Sequence, residues 1–584
     1  MSTRDKWFRN NETDLELAMA QCRQALGPLI LFSLAINLLT LASPLYMLQV
    51  YDRVMVTGNV DTLVMLTVMA AAALLLFGML DSIRSVLTVR MSTWLSDRLG
   101  PVYLAHSVRS RLLGDGSGAQ PLRDLQQIQN FISSPGLGVF FDAPWAPVYL
   151  LLIWMLHPAL GTLAIASTIA LLLLGLANEA ITRRSTQVAS QSQIVATMQA
   201  ETTIRNAEVV SAMGMLPALI DHWRTANNVG LEAAQRASER GAFLLGLTKF
   251  ARLFMQSSIL GLGAYLVLKG QVSGGVMIAS SILLGRALAP VEMAMATWRN
   301  FSVARVSYGR LKTRLESLPD ESRRISLPEP KGQVSLQHVS YVPPGSSAPV
   351  LQQVNFQATP GEAIAVIGPS ASGKSSLCRL LVGVARPTAG VVRLDGSDLK
   401  HWNPDELGRH IGYLPQEPEL FPGTVRDNIA RMNCTDETAV IQAAMLAHAH
   451  EMIQLLPNGY DTPIGDGGLR LSGGQRQRIG LARAIYGVPK LIVLDEPNAN
   501  LDQAGEAALS AAIEEMKAKG ATLLIVGHRP STIAQADKIL LLREGRVEAF
   551  GVRDEILKRL RVAATGPLPA EREQQERLTA EAAG

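Results

Sequence analysis

The stretch IAVIGPSASGKSSLCRLL, residues 364–381, decides the fold of the second half of the chain. An apolar run typical of a buried strand leads into a glycine-rich loop, and the loop leads into a helix. Gly368 and Gly373 allow the tight turn that aims successive backbone amides at an anion, beside a helix N-terminus that also favours negative charge. We expect Lys374 to place its charge on the β and γ phosphates and the Ser375 hydroxyl to ligate Mg²⁺. The pattern predicts a phosphate-binding loop made of Gly368, Pro369, Ser370, Ala371, Ser372, Gly373, Lys374, Ser375 and Ser376.

A second motif follows downstream, where LIVLDE (residues 491–496) is an apolar strand that ends in two carboxylates. We expect Asp495 to hold magnesium through water and Glu496 to polarise the attacking water as a general base. An apolar strand ending in Asp-Glu is ordinary on its own. Because it accompanies a phosphate loop, it predicts hydrolysis of ATP with Mg²⁺ as the metal cofactor.

The first half of the chain has the composition of a membrane domain. Of 584 residues, 48% are hydrophobic and 18% charged, which is apolar for a soluble protein. Six runs are long enough to cross ~30 Å of hydrocarbon, and the third is interrupted by Asp142, Pro144 and Pro147, so kinks are expected there. The predicted spans are residues 28–50, 60–80, 138–156, 159–178, 250–268 and 272–291.

Charge placement predicts the orientation of these spans in the lipid bilayer. Basic residues cluster before the first span, after the second and after the fourth, so those segments are predicted to be cytoplasmic. The two long loops on that side have helical periodicity and are expected to extend the membrane helices into the cytosol. The net charge is only +4 and no basic stripe is present, which argues against a nucleic-acid partner.

The fold class that follows is an α-helical six-span transmembrane domain plus an α/β P-loop nucleotide-binding domain. The segment LPDESRRISLPEP is rich in proline and charge, as domain boundaries are. The predicted domains are a cytoplasmic N-terminal tail (1–27), a transmembrane domain with six helices and long cytoplasmic loops (28–317), a linker (318–330), a nucleotide-binding domain (331–562) and a C-terminal tail (563–584).

The segment LSGGQRQR, residues 471–478, is the most specific motif in the chain, and it resembles the signature of the ATP-binding cassette (ABC) superfamily. Ser472 at a helix N-cap, followed by Gly473 and Gly474, can expose a hydroxyl and amides to an anion. The resemblance implies that this segment, with Gln475, binds the γ-phosphate of ATP held by the other nucleotide-binding domain.

Further residues match the superfamily in order. Tyr341 resembles the aromatic that stacks on adenine, and Gln416 in YLPQEP resembles the glutamine that senses magnesium. Asp502 in NLD is similar to the carboxylate between the two sites, and His528 in VGHR is similar to the histidine that contacts the γ-phosphate. A single chain carries one phosphate loop and one signature, so the resemblance implies a homodimer.

The sequence of the membrane domain indicates which type of ABC protein the chain resembles. A membrane domain before the ATPase domain is similar to the exporter type of ABC protein, and SPLYMLQVYDRV (43–54), FDAPWAPVY (141–149) and LGRALAPVE (284–292) resemble the permease/ATPase of bacterial type I secretion systems. The resemblance implies a location in the bacterial inner membrane and three partners. These are a periplasmic adaptor (membrane fusion protein), an outer-membrane channel and an unfolded protein substrate with a C-terminal signal.

Arg286 lies in the sixth span, where an arginine costs about 2.5–3.5 kcal/mol on insertion scales. One interpretation is snorkelling or pairing with Glu292, and the other is that Arg286 lines the substrate path. Two other functions remain open from the sequence. An ABC exporter of a lipid, drug or peptide would need no adaptor, and an ATP-gated channel or regulator is disfavoured by the intact Glu496 and signature.

Overall fold

The computed structural model describes residues 27–114, 118–316, 327–433, 436–465 and 471–565. The chain divides into a membrane unit, Met1–Arg109 with Ser117–Pro319, and a nucleotide unit, Ser110–Gly116 with Asp320–Gly584. Most of both predicted tails and residues 318–326 of the predicted linker lie outside the described residues.

The membrane unit contains six helical segments long and apolar enough to span a bilayer, which confirms the predicted number. The second and fifth have 53 residues each, about 80 Å at 1.5 Å per residue, against ~30 Å of hydrocarbon. Both therefore continue well beyond the bilayer, as the periodicity of the loops predicted. The helices are α1 (Gly27–Thr57), α2 (Val60–Leu112), α3 (Gln120–Ile132), α4 (Gly136–Asp142), α5 (Ala146–Leu156), α6 (Pro158–Arg205), α7 (Ala207–Ala212), α8 (Leu216–Leu268) and α9 (Gly274–Glu316).

The third span is made of two helices with a break between them. Helix α4 ends at Asp142, a single 3₁₀ turn covers Ala143–Trp145, and α5 begins at Ala146. Pro144 lies in the turn, and its missing N–H and fixed φ account for the interruption. The prolines of this span thus coincide with a 3₁₀ turn, and the Asp142 carboxylate lies at the junction.

Helix α3 precedes this span. It was not predicted as a separate helix, because its residues were assigned to a long cytoplasmic loop. Its apolar residues Leu125 and Phe131 are buried, and Asp124 is 1% exposed. Asp124 accepts hydrogen bonds from Arg310 Nε at 3.0 Å and from the Ser307 hydroxyl at 3.2 Å. The buried carboxylate is thus paired, which fastens α3 to the last third of α9.

The nucleotide unit is built on a six-stranded sheet with the order β12-β11-β3-β10-β9-β6, in which only β12 is antiparallel to its neighbour. A four-stranded antiparallel sheet, β2-β1-β4-β5, and a short β7-β8 pair complete it. The strands are β1 (Val334–Tyr341), β2 (Leu351–Ala358), β3 (Ala363–Ile367), β4 (Ala389–Leu394), β5 (Ser397–Asp398), β6 (Ile411–Leu414), β7 (Gly423–Thr424), β8 (Pro463–Ile464), β9 (Leu491–Asp495), β10 (Thr522–Val526), β11 (Lys538–Arg543) and β12 (Arg546–Val552).

Helices cover both faces of the parallel strands, which explains their continuous apolar sequences. In β10, Leu523 and Ile525 pack into one hydrophobic cluster, and Leu524 and Val526 pack into the other. Burial on two faces fixes the register of these strands. The helices are α10 (Lys374–Leu381), α11 (Pro404–His410), α12 (Val425–Ile429), α13 (Glu437–Leu446), α14 (His450–Gln454), α15 (Gly473–Ile485), α16 (Gln503–Ala518), α17 (Pro530–Ala534) and α18 (Arg553–Thr565).

The hydroxyl of Thr522, which is fully buried, ties the start of β10 to two loops. It donates to the Gly332 carbonyl at 2.8 Å and accepts from the Gly361 amide at 3.1 Å. We expect Thr522→Val to lower the free energy of unfolding by about 1–3 kcal/mol, since both backbone groups lose their partner. Thermal unfolding of the full chain in detergent measures this. Thr522→Ser keeps the hydroxyl and should cost less; equal losses in the two variants would contradict the role of the hydrogen bonds.

Candidate active site

Four neighbouring parallel strands end at the same edge of the sheet. The register pairs Val366 with Val526, Val526 with Asp495, and Leu414 with Leu494. The segments that follow these strands therefore emerge side by side, as ligand-binding loops do at the carboxyl ends of parallel strands. They carry the phosphate loop after β3, His528 after β10, Glu496 after β9 and Gln416 after β6.

The phosphate loop has a backbone that side chains would obstruct. A Cβ on Gly368 would lie 2.1 Å from the Leu542 carbonyl oxygen, and one on Gly373 would lie 2.7 Å from Leu351 Cδ2. Ala371 has a φ of +64°, so the loop turns through the left-handed region between the two glycines. This alternation is the geometry of backbone concavities that bind anions.

Lys374 and Ser375 begin helix α10 directly after the loop. The Lys374 ammonium donates to the carbonyls of Gly368 at 2.9 Å and Pro369 at 2.8 Å. It is therefore held over the concave side of its own loop, where the predicted phosphates would lie. A helix N-terminus and a cation on one loop form a favourable environment for a polyphosphate.

Asp495 at the end of β9 is 2% exposed, and its Oδ1 is buried with no hydrogen-bond partner among the described residues. Burial raises the pKa of this carboxyl above its ordinary value and the negative Glu496 adds to the rise, while the Ser375 hydroxyl, Arg379 and Lys374 oppose it. A buried carboxylate oxygen without a donor is costly unless a cation completes it. Its place beside the Ser375 hydroxyl gives two oxygen ligands of the kind that Mg²⁺ prefers.

Glu496, the predicted general base, is held in a defined position. Its amide donates to the Val526 carbonyl at 3.1 Å, and Gln416 Nε2 donates to its Oε2 at 3.0 Å. Its φ is +49°, a conformation that non-glycine residues adopt at a cost and that is frequent at functional sites. The structure thus brings Gln416 and Glu496 into direct contact.

His528 lies two residues beyond the end of β10, and its side chain is exposed. Helix α17 begins two residues later, at Pro530. The sheet order places the loop of His528 between the phosphate loop and Glu496. This is the position from which an imidazole could contact a terminal phosphate.

The signature segment forms a second cluster. Ser472 is the N-cap of α15: its Oγ accepts from the Gln475 amide at 3.2 Å, and the Gln475 side chain accepts from the Ser472 amide at 2.9 Å. Asp502 accepts from Arg478 Nη2 at 3.3 Å and from the Gly505 amide at 2.8 Å, and Gly474 lies against Asn500. Among the described residues, no hydrogen bond joins this cluster to the phosphate loop. The signature instead contacts the segment that follows Glu496, where Gln477 Nε2 donates to the Pro497 carbonyl at 3.0 Å.

The stacking role predicted for Tyr341 does not fit its position. Its side chain is 8% exposed and belongs to the hydrophobic cluster that includes Leu351 and Val366. A ring buried in the core offers almost no surface to a base. The sequence placed an aromatic near the loop, but the burial pattern of β1 assigns it to packing.

Pairing of Arg286 with Glu292, which was one of the interpretations left open by the sequence, is not found among the described residues. Glu292 instead forms an ion pair with Arg252 of α8. Residues 286 and 292 are six apart, which places them on different faces of a helix, whereas Arg252 comes from the neighbouring helix. Arg286 lines a cavity of about 450 Å³ in the membrane unit.

A polar network around that cavity was not identified from the sequence. Ser33, Asn37 and Thr40 of α1 are buried and contact Asp142 and Tyr149 of the third span. Their spacing of four and three residues puts them on one helix face, and three polar residues at that spacing in an apolar span are a signal that could have been noticed.

A six-span membrane unit joined to a parallel-sheet unit with a phosphate loop, carboxylate pair and signature defines an ATP-binding cassette transporter, which couples ATP hydrolysis to transport. Residues 351–499 match the family described as ABC transporter, and residues 26–289 match the ABC transporter transmembrane region. A bacterial Atm1-family ABC exporter with ATP bound has the same fold, with a TM-score of 0.81, 22% identity, and coverage of 95% of this chain and 99% of that chain.

Curated relatives narrow the family. The type I secretion system ATP-binding protein PrsD of Rhizobium meliloti is 41% identical over 94% of this chain and 95% of its own length. The cyclolysin secretion/processing ATP-binding protein CyaB of Bordetella pertussis is 31% identical over 92% of this chain and 77% of its own length. The leukotoxin translocation ATP-binding protein LktB of Mannheimia haemolytica is 29% identical, with 93% and 77% coverage. The chain belongs to the type I secretion ATP-binding proteins.

The close approach at Gly368 gives a direct test of the phosphate loop. We expect Gly368→Ala to weaken ATP binding by about tenfold or more, because the added methyl must displace the backbone at Leu542. Gly408→Ala is the matched control, since nothing lies within 4 Å of its Cβ position in α11. Calorimetric titration with ATP measures both. Unchanged affinity in Gly368→Ala would contradict the predicted role of this loop.

The contact between Gln416 and Glu496 supports a test of the general base. We expect Glu496→Gln to retain ATP binding but lower turnover about 10²–10⁴-fold, the usual contribution of such a group. Glu514→Gln on the exposed face of α16 removes the same charge and should leave turnover unchanged. Phosphate release in the full chain is the measurement, and normal turnover in Glu496→Gln would exclude it as the base.

Proposed function

We propose that two copies of this chain form the inner-membrane ABC component of a type I secretion system and export unfolded proteins that carry a C-terminal signal. The observation that carries this proposal is the similarity to PrsD, at 41% identity over 94% of the chain. The likeness extends through the membrane unit as well as the ATPase. A periplasmic adaptor and an outer-membrane channel are the proposed partners.

The proposed ATP site is shared between two chains. The phosphate-loop group supplies Lys374 and the backbone amides of residues 368–376, and the signature of the second chain supplies Ser472, Gly473, Gly474 and Gln475. Among the described residues, no hydrogen bond joins the phosphate loop to the signature of the same chain, which supports this arrangement. Asp502, next to the signature, would lie between the two sites.

Each group has a distinct chemical part in hydrolysis. Ser375, Asp495 and Gln416 would hold Mg²⁺, which when bound neutralises charge on the phosphates. Glu496 orients and deprotonates the attacking water, and Gln416 fixes the direction of its carboxylate. His528 and Lys374 stabilise charge on the γ-phosphate. The base is in place before substrate arrives, so little reorganisation is needed.

ATP binding is coupled to transport because its free energy favours one arrangement of the dimer. ATP favours the dimer in which phosphate loop and signature meet, and hydrolysis removes that preference. The long extensions of α2, α6 and α8 would transmit the change to the spans, with the nucleotide unit in the cytoplasm. The proposed domains are residues 28–317 for the membrane and 331–562 for the nucleotide, joined by the 318–330 linker between short tails.

Reconstituted export tests the proposal. Cells would carry this chain alone, or with a type I adaptor and outer-membrane channel, and a reporter ending in the C-terminal segment of a known type I substrate. We expect reporter in the medium only when all three components are present. A reporter lacking that segment is the matched control, and Lys374→Ala should abolish export because it removes the phosphate-binding cation.

A small-substrate exporter would give a different result in these experiments. Export that ignores the C-terminal segment, or ATPase activity that lipids or drugs stimulate without any adaptor, would reject protein secretion in favour of a small-substrate exporter.

A further inference from the structure

The cavity of about 450 Å³ in the membrane unit is lined by residues of α1, α2, the third span and α9. It is far larger than the ~10–15 Å³ that a single water requires. Its lining includes the ionisable side chains of Asp81, Arg84, Asp142, Tyr149 and Arg286. Charged groups within membrane helices are costly and usually face a cavity or a functional partner. The contacts of each charged group therefore decide which of them can bind a ligand in the cavity.

On one wall the charges are already paired. Asp142 Oδ1 accepts hydrogen bonds from Ser33 Oγ at 2.7 Å, Asn37 Nδ2 at 2.9 Å and Arg84 Nη1 at 2.9 Å. Arg84 also donates to Asp81 at 2.8 Å, and its side chain is only 14% exposed. Arg84 is thus paired with two carboxylates and is not available to bind an anionic ligand.

Arg286 has a different environment. Its helical neighbours Leu284, Ala287 and Leu288 are fully buried, whereas Arg286 itself is half-buried on the cavity lining. Within the described parts of the chain it makes no ion pair or hydrogen bond, and Glu292 is engaged by Arg252. A guanidinium carries five N–H donors in a planar fork that matches a carboxylate. Because Arg286 lines the cavity and has no partner among the described residues, these donors are available to a ligand there.

We propose that this cavity binds a carboxylate of the exported polypeptide, from an acidic side chain or the chain terminus, and that Arg286 is the residue that binds it. The proposal rests on the proposed export of unfolded proteins. Asp81 and Asp142 are two carboxylates that share one guanidinium, that of Arg84, so Arg286 is the lining cation that remains to attract an anion. A bidentate pair between a guanidinium and a carboxylate is charge-assisted and stronger than a hydrogen bond to a neutral amide, which gives the site selectivity for carboxylate over amide.

Peptide binding to the full chain tests this without adaptor, channel or ATP. The probes are three fluorescent 20-residue Gly/Ser peptides: one with glutamates and an amidated terminus, one with glutamines and a free terminal carboxylate, and one with glutamines and an amidated terminus. Binding is measured by fluorescence anisotropy to the chain in nanodiscs of phosphatidylcholine, which has no net charge. We expect at least one carboxylate peptide to bind about tenfold tighter than the neutral peptide. The peptide that gains identifies the source of the carboxylate.

Variants at position 286 test whether Arg286 causes the preference for carboxylate peptides. Arg286→Gln should abolish the difference between acidic and neutral peptides, and Arg286→Lys should retain part of it because the charge remains. Arg299→Gln is the control: it removes one positive charge from an exposed position on the same helix and should keep the full preference. Equal affinity of all three peptides for the unaltered chain would overturn the proposal, as would a preference that survives in Arg286→Gln.

The readout separates this proposal from the secretion function. Carboxylate-selective binding in a chain that fails to export the reporter would leave the site standing and reject protein secretion as its context. Export that depends on the C-terminal segment, together with equal peptide affinities, would retain secretion and reject the site.

Discussion

The parallel pairing of β3, β10, β9 and β6 is the constraint on which the nucleotide unit depends. Their residues are apolar and buried on both faces, so a shift by one residue would move every side chain into the wrong hydrophobic cluster. The fixed register brings the four carboxyl ends to one edge. Lys374, Gln416, Glu496 and His528 are far apart in the sequence, and this edge alone makes them neighbours.

The membrane unit obeys a related rule in a different solvent. Its helices satisfy their own backbone groups, so the polar side chains that remain need partners inside the bundle. Asp142 shows how this works, because it lies where Pro144 interrupts the third span and accepts three hydrogen bonds from two other helices. Polar groups and the helix break thus coincide at one point. That point adjoins the cavity in which Arg286 lies.

Much of this architecture follows from local patterns. Hydropathy alone gives the six spans, and the order strand, glycine loop, helix gives the phosphate loop with Lys374 and Ser375. The N-cap predicted for Ser472 is confirmed, because capping depends on residues three positions apart. Features that depend on contacts between residues distant in the sequence were not predicted. Tyr341 reads as an exposed aromatic until the burial of β1 is known, and the partner of Glu292 is Arg252, forty residues away on another helix.

The proposed ATP site needs the phosphate loop of one chain and the signature of another. Two differently tagged copies allow purification of mixed dimers of the full chain. In one, Lys374→Ala and Ser472→Arg lie on separate chains, so that one site carries both defects and the other carries none. In the other, both changes lie on a single chain opposite an unaltered one, so that each site carries one defect. If the sites are shared, the first dimer hydrolyses ATP and the second hydrolyses almost none. Hydrolysis by the second dimer and none by the first would show that each chain uses its own signature, and a shared site would be excluded.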